Sequence, residues 1–456
     1  MVSFTSLTFI FRFLPIFFLV YYLVPANWKK LCILVGSIVF YAVGEPIFIL
    51  LLLALTGINY YLGKFGFRRI GPISDSKLLP GRGKYLFAAV TLDIFVLILF
   101  KCLSTFVDSS LLPLGLSFYI FKMISYQVDT YRQVIDVEPK FTECAVYFMM
   151  FPQICQGPIM RYEDSELYNA PKLSLESIED GLKYFIIGLG MKVIIADRIG
   201  ILFKDLGMYG YQSISTPLAW MGAFAYTFEL YFDFWGYSLM ASGLFVAMGY
   251  NHIVNFDQPY SSKTISEFYR RWHITLGAFF RDYVYIPLGG SRVNKPRLVV
   301  NLAIVWILTG IWHGNGWNFV IWGAVLGIFI ILEKLFYSDF MNRIPLVGNL
   351  YVLFVIPLTW VIFAINDLEK LGIYFGRLFP VVQSSAVVDK SDYLRYLNDY
   401  WYLFMIAIVL CVPEIQKFYE RHKKNPITVI ILFAVFWISI YFSAGSAGNP
   451  FMYLNF

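Results

Sequence analysis

Charge is what this sequence lacks most. Only 14% of its 456 residues are Asp, Glu, Lys or Arg, about half the roughly 25% of ordinary soluble domains. Hydrophobic residues reach 59%, against about 45–50% with glycine counted in such domains, and mean hydropathy is +0.64. A soluble fold has no means of hiding that much apolar surface, so lipid must cover it. At about 20 residues per span, the apolar content accommodates on the order of ten transmembrane helices. Disorder and collagen-like repeats are excluded with it. The net charge of +6 needs no nucleic-acid partner, because basic cytoplasmic loops account for it.

Sulfur and imidazole are also scarce. Of five cysteines, Cys32 and Cys411 lie in apolar stretches, Cys102, Cys144 and Cys155 border them, and none forms a CxxC. That is no disulfide framework; they read as small buried or lipid-facing side chains. The histidines number four: His252, His273, His313 and His422. No pair has HExxH or another metal-ligand spacing, so no metal is expected. GxSxG, Walker A and a strand-borne GxGxxG are missing. No internal repeat is found, which weighs against an inverted-repeat transporter.

What is present is a succession of apolar runs. Residues 7–24 have no basic segment before them and no small-residue cleavage site after them, and Lys29 and Lys30 follow. They read as a retained first span with the N-terminus outside. Two more spans, about 31–44 and 46–63, lead to a basic loop at 64–84, which parity and charge both place in the cytoplasm. Further runs near 85–100, 111–127, 142–158, 181–200, 215–234, 236–250, 298–313, 317–335, 350–366, 400–413 and 427–445 predict a single all-α transmembrane domain over 1–456. The expectation is about 10–12 spans, with re-entrant or interfacial helices where a run is too short to cross. Residues 367–398 read as an extramembrane loop or hairpin, and Lys417, Arg421, Lys423 and Lys424 as a further cytoplasmic cluster.

Residues 251–297 break the pattern. Arg270, Arg271, Arg281, Arg292, Lys295 and Arg297 mix there with Tyr260, Phe268, Tyr269, Trp272, Phe279, Phe280 and Tyr283. The mixture fits either a basic topology-setting loop or amphipathic helices at the cytoplasmic interface. Inside the apolar runs, Tyr226, Glu229, Asp233 and Tyr237 follow helical spacing and share one face. Ionisable groups in a span face protein or water. This stripe therefore lines a cavity, or forms a buried network with arginines such as Arg270 or Arg271.

In the run 298–313, Asn301, Thr309 and His313 fall on one row, and Gly314-Asn315-Gly316 ends the helix. Irregular backbone at membrane depth requires surrounding protein or a water-filled cavity. A helix C-terminus also favours imidazolium, the form a base becomes on taking a proton. His313 is thus either a proton acceptor at the bottom of a cavity or a packed hydrogen-bonder. His273 follows Arg270-Arg271-Trp272 and reads as a structural hydrogen-bonder or a second functional imidazole. His252 reads as a cap or loop residue and His422 as solvated.

These strings resemble a known family. NFDQPYSSKTISEFYRRWHITLGAFFRDYVYIPLGGSRVNKPR at 255–297 and TGIWHGNGWNFVIWG at 309–323 are similar to the signature region of the membrane-bound O-acyltransferases. FPQICQGPIMRY at 151–162, GLGMKVIIADRIG at 188–200, YFDFWGYSLMASGL at 231–244 and LPIFFLVYYLVP at 14–25 also fit, with departures at Cys155-Gln156 and Trp235. YIPLGGSR after RRWH resembles the bacterial polysaccharide-acetylation branch rather than the teichoic acid D-alanylation branch.

The resemblance implies helices around a central tunnel, with His313 matching the signature histidine and His273 the second, more variable one. It implies an extracytoplasmic SGNH-type acetyltransferase as partner and acetyl-CoA as donor, with no bound cofactor. An acyl-carrier donor is the alternative. With it, His313 becomes the candidate base for activating an acceptor hydroxyl. His273 becomes a positioning group or second proton carrier. Arg270, Arg271 and Arg281 become grips for an anionic donor at the cytoplasmic mouth, with Asp282 pairing one of them. Contact with membrane lipid headgroups is their other reading. Glu229, Asp233, Asn301 and Trp312 complete the expected donor-binding set. Cys155 is the available nucleophile for an acyl-enzyme, but no base adjoins it in sequence. The rival outside this class is a transporter or flippase of lipid-linked sugars.

Overall fold

The computed structural model describes residues 3–67, 69–70, 77–78, 81–135, 137–380 and 388–445. Among these the fold is all-helical apart from an antiparallel pair of two-residue strands, Arg69–Ile70 with Lys77–Leu78. Arg68 and Asp75 of the basic loop lie outside the described residues. The helices fall into two units that interleave along the sequence, one of residues 1–185 and 237–254, the other of 186–236 and 255–445.

The first unit contains four helices long and apolar enough to cross a membrane, Ala26–Gly44, Phe48–Gly66, Gly83–Phe106 and Ser109–Arg132. The shorter apolar stretch Phe9–Leu23 precedes them. Its Phe9, Phe13 and Phe17 pack with Phe40 and Phe151, ring centroids 5.0–6.3 Å from Phe151. The run at 142–158 is not one helix. Phe141–Met149 stops at Met150, and Phe151–Ile154 restarts as a single turn with Pro152 in its first positions, where the missing N–H is tolerated.

The second unit holds Lys295–His313, Trp317–Arg343, Pro345–Ala364 and Pro426–Gly445. Only 11% of the last helix's most apolar window is buried, and Ile430, Ile431 and Phe433 are exposed, so it faces lipid on nearly every side. Lys295–His313 and Trp317–Leu332 touch through glycines. A Cβ at Gly310 would lie 2.5 Å from the Phe319 carbonyl oxygen, and one at Gly323 would lie 2.4 Å from that of Trp306. Small residues that let backbones meet are the usual glue of helices in lipid.

The span count differs from the 10–12 expected. Eight described helices qualify, or nine if Asp392–Leu410 and Pro413–His422, bent by 75° at their junction, form one span. One reason is Thr216–Ala247, a single 32-residue helix where two runs were read. Gly236 does not break it; that glycine is a point of close approach, with a Cβ there lying 2.6 Å from the Gly188 carbonyl oxygen. The segment 367–398 is likewise not a plain loop, since it contains the helix Leu368–Leu378 and the start of Asp392–Leu410.

Candidate active site

His313 is the last residue of Lys295–His313, and extended Gly314 (φ 174°) ends the helix. Asn301, Thr309 and His313 are all buried, while Ile307, Leu308 and Ile311 between them are exposed. The row read from sequence is therefore the inner face of this helix. The walls around the imidazole are aromatic. Ring centroids lie at 4.6 Å for Trp312, 5.0 Å for Trp322 and 5.1 Å for Phe363, the last two nearly perpendicular to it. Asn318 Nδ2 donates to the Phe363 carbonyl at 2.8 Å, which ties the next helix to the end of Pro345–Ala364. From His313 the rings continue through Trp322, Trp360 at 5.7 Å and Trp272 at 5.0 Å from Trp360. The residue after Trp272 is His273.

The segment carrying His273 is helical, as the interfacial reading anticipated: Ile265–Arg271 and Ile274–Phe280 flank it. His273 is the joint between them, in a left-handed conformation (φ 46°, ψ 55°) that non-glycine residues seldom adopt. The joint is clamped from the preceding chain. Phe256 and Trp272 form an antiparallel bridge, Asp257 N–H donates to the Arg271 carbonyl and Ile274 N–H to the Asn255 carbonyl, each at 2.9 Å. His273 Nδ1 lies 3.2 Å from Asn255 Oδ1, and Phe234 meets the imidazole edge-on at 4.5 Å. Burial without a charged neighbour pulls the imidazole down to about 3, so His273 is neutral at physiological pH.

Of the three arginines, Arg281 is engaged twice by Asp282, at 2.7 and 2.9 Å, which is the carboxylate pairing expected. Arg271 pairs with Glu267 at 2.8 Å and donates to Ser261 Oγ at 3.0 Å. Arg270 is exposed and makes no ion pair among the described residues. The helix bearing Arg270 and Arg271 is capped twice. Thr264 Oγ1 accepts from Glu267 N–H at 3.0 Å. The carboxylate of Glu333, 1% exposed, accepts from the N–H groups of Ile265 and Ser266 and from Ser266 Oγ. Sequence reasoning missed Glu333. Its signal was an acid inside the apolar run 317–335, directly before Lys334.

Glu229 and Asp233 do face the interior, at 3% and 1% exposed, but their partners are not Arg270 or Arg271. Asp233 meets Lys192 Nζ at 2.6 Å, Lys192 also meets Asp197 at 2.7 Å, and Glu229 meets Lys204 at 3.4 Å. Lys192 belongs to a π-helical stretch, Met191–Ala196, that leads straight into the helix Asp197–Tyr209. Both lysines therefore come from the chain just before Thr216–Ala247. Asn301 is spoken for as well: its Nδ2 donates to the carbonyls of Leu288 at 3.1 Å and Gly290 at 3.2 Å. It pins the Leu288-Gly289-Gly290 turn.

A buried imidazole walled by aromatic rings, at the glycine-broken end of a spanning helix, with an unpaired arginine on an adjoining amphipathic segment, suits proton transfer to and from a neutral substrate. The sequence pattern of the membrane-bound O-acyltransferase family matches residues 67–366, a stretch that contains both histidines. The chain belongs to the membrane-bound O-acyltransferase family. It is a multi-pass, all-helical membrane O-acyltransferase. This acyltransferase is 35% identical to the probable alginate O-acetylase AlgI of Azotobacter vinelandii over 92% of its own length and 86% of the relative's. It is 30% identical to the peptidoglycan O-acetyltransferase of Helicobacter pylori over 99% of its own length and 97% of the relative's. Similarity to the teichoic acid D-alanyltransferase of Streptococcus thermophilus is 28% identity over 48% of this acyltransferase and 56% of the relative.

Proposed function

We propose that this acyltransferase, in the cell membrane, takes an acetyl group from cytoplasmic acetyl-CoA and passes it across for O-acetylation of an exported or cell-surface polysaccharide, in concert with an extracytoplasmic SGNH-type acetyltransferase. The observation that carries the reading is near full-length similarity to two polysaccharide O-acetylating proteins, one named for alginate and one for peptidoglycan. The D-alanyltransferase match covers only about half the chain, which favours acetyl over D-alanyl.

The chemistry needs little beyond a base. A thioester has a good leaving group, whereas a hydroxyl is a poor nucleophile until its proton is removed. His313 takes that proton as the hydroxyl oxygen bonds to the thioester carbonyl carbon. The C–S bond then breaks, and the thiolate leaves with the proton His313 carried. General base catalysis of this kind typically contributes about 10²–10⁴-fold. Dry aromatic walls keep water from competing as acceptor. Arg270 grips a donor phosphate, while Arg271 and Arg281 stay balanced by Glu267 and Asp282.

The test is purified protein in nanodiscs with acetyl-CoA labelled in the acetyl group. Thioester consumption that depends on an acceptor and on His313 is expected. Sugar transport without thioester turnover would replace this reading with a transporter.

A further inference from the structure

The carboxamide of Asn255 is buried, at 2% exposed, and its orientation is dictated by its neighbours. Thr275 donates its backbone N–H to Asn255 Oδ1 at 3.2 Å, and its hydroxyl lies 2.9 Å from the same atom. A backbone N–H can only donate, so the atom facing it is the carbonyl oxygen and not the amide nitrogen. That oxygen also sits 3.2 Å from His273 Nδ1. Two lone pairs would repel there, so Nδ1 carries the proton. In a neutral imidazole the lone pair then resides on Nε2.

His273 Nε2 is buried and has no hydrogen-bond partner among the described residues. Buried acceptors left this way are rare and demand an explanation. The backbone adds a second observation. His273 is held left-handed by bonds on both sides of it, from Asn255 O to Ile274 N–H and from Asp257 N–H to Arg271 O. Strain that the surroundings enforce collects where a side chain must be aimed. The acceptor so aimed lies three residues after Arg270, the exposed arginine without an ion pair.

We propose that Asn255 is a positioning residue that locks His273 in the Nδ1–H tautomer, and that His273 Nε2 accepts an amide N–H of the donor's phosphopantetheine arm while Arg270 holds its phosphate. This rests on the acyl-transfer reading for the class of ligand, but not for the tautomer. The arm is common to CoA and to acyl-carrier proteins, so the geometry fits either source. A lone pair on Nε2 rejects an anion, which places the phosphate at Arg270 and the uncharged amide at His273.

With four histidines in the chain, ¹⁵N-histidine NMR of the full-length protein in nanodiscs is tractable, and His273→Gln identifies the resonance. The wild type should show Nδ1 protonated and Nε2 bare. Asn255→Asp, whose carboxylate still accepts from Nδ1–H, should keep that signature; Asn255→Leu should lose it. An Nε2–H tautomer in the wild type would overturn the lock, and that spectrum needs neither Asn255→Leu to fold nor any turnover. Adding CoA should move the Nε2 resonance upfield in wild type and Asn255→Asp. Loss of one hydrogen bond in Asn255→Leu should weaken CoA binding about tenfold. A shift with a phosphopantetheinylated carrier protein but not with CoA would keep the site and replace acetyl-CoA as donor. No shift with either would sink the pantetheine assignment.

Discussion

Two buried polar features of this acyltransferase are built in opposite ways. Along Thr216–Ala247, Asp233 and Glu229 are neutralised where they stand, by lysines supplied from the chain just before that helix. Around His313 the protein supplies aromatic edges and a helix that stops. A carboxylate with a lysine at 2.6 Å is part of the framework, because the ion it would attract is already there. An imidazole in an aromatic box keeps its chemistry for something that arrives. Acid pairs on a helix face in lipid suggest a functional cavity from sequence, yet here they anchor, and the lone histidine at the broken end is the reactive group.

If that contrast is right, damage to the two regions should separate into stability and rate. The largest effect falls on the framework. Lys192→Met leaves Asp233 buried without its main counter-charge and should destabilise by about 3–5 kcal/mol, read as a lowered melting temperature in detergent and poor accumulation in the membrane. Lys192→Met combined with Asp233→Leu should recover most of the loss, since a buried pair replaced by apolar groups is often neutral. Failure of the double variant to recover would mean that the pair does more than anchor.

His313→Ala is next, and should move the other axis. Acetylation of polysaccharide in cells lacking the native protein should fall at least about 10²-fold, with membrane abundance and melting near wild type. Near-normal acetylation would remove the proposed base, and a variant that fails to accumulate would make His313 a packing residue.

Asn301→Ala tests whether that buried polar group belongs to framework or chemistry. Losing the bonds to Leu288 and Gly290 should cost about 1–3 kcal/mol and open the 286–294 turn to proteolysis, with donor KM unchanged. A raised KM at wild-type stability would return Asn301 to the donor site. The smallest effect is Lys204→Met. Its ammonium is half exposed and 3.4 Å from Glu229, so the change in stability should stay near about 1 kcal/mol. A larger one would show that Glu229 depends on it as Asp233 depends on Lys192.

The parts legible in the sequence were those that composition and short-range periodicity encode. The apolar runs predicted an all-helical membrane fold, and spacing placed Glu229, Asp233, Thr309 and His313 on buried faces. What escaped was set by contacts between distant segments. Lys192 and Lys204 reach the stripe from residues 25 and more positions before their acids, and no local pattern links them. Asn301 looked like a cavity residue because periodicity reports which face a side chain is on, not which carbonyl it meets. Asn255 carried no signal of its own, since its partners His273 and Thr275 lie 18 and 20 residues away. Span counting failed where Gly236 resembled a break and proved to be a contact.

The π-helical stretches give this chain an unusual sensitivity to length. Each winds its residues more loosely than an α-helix, so it holds about one residue more than an ordinary turn of the same height. Three of them carry residues named above: Lys192 in Met191–Ala196, Arg281 and Asp282 in Arg281–Tyr285, and Glu333 at the head of Glu333–Tyr337. Removing one residue from such a stretch would return it to the α repeat and turn the helix beyond it by about 100°. Past Met191–Ala196 that rotation would carry Lys204 off the face that meets Glu229. At these places a one-residue deletion rewires ion pairs that many substitutions would leave alone.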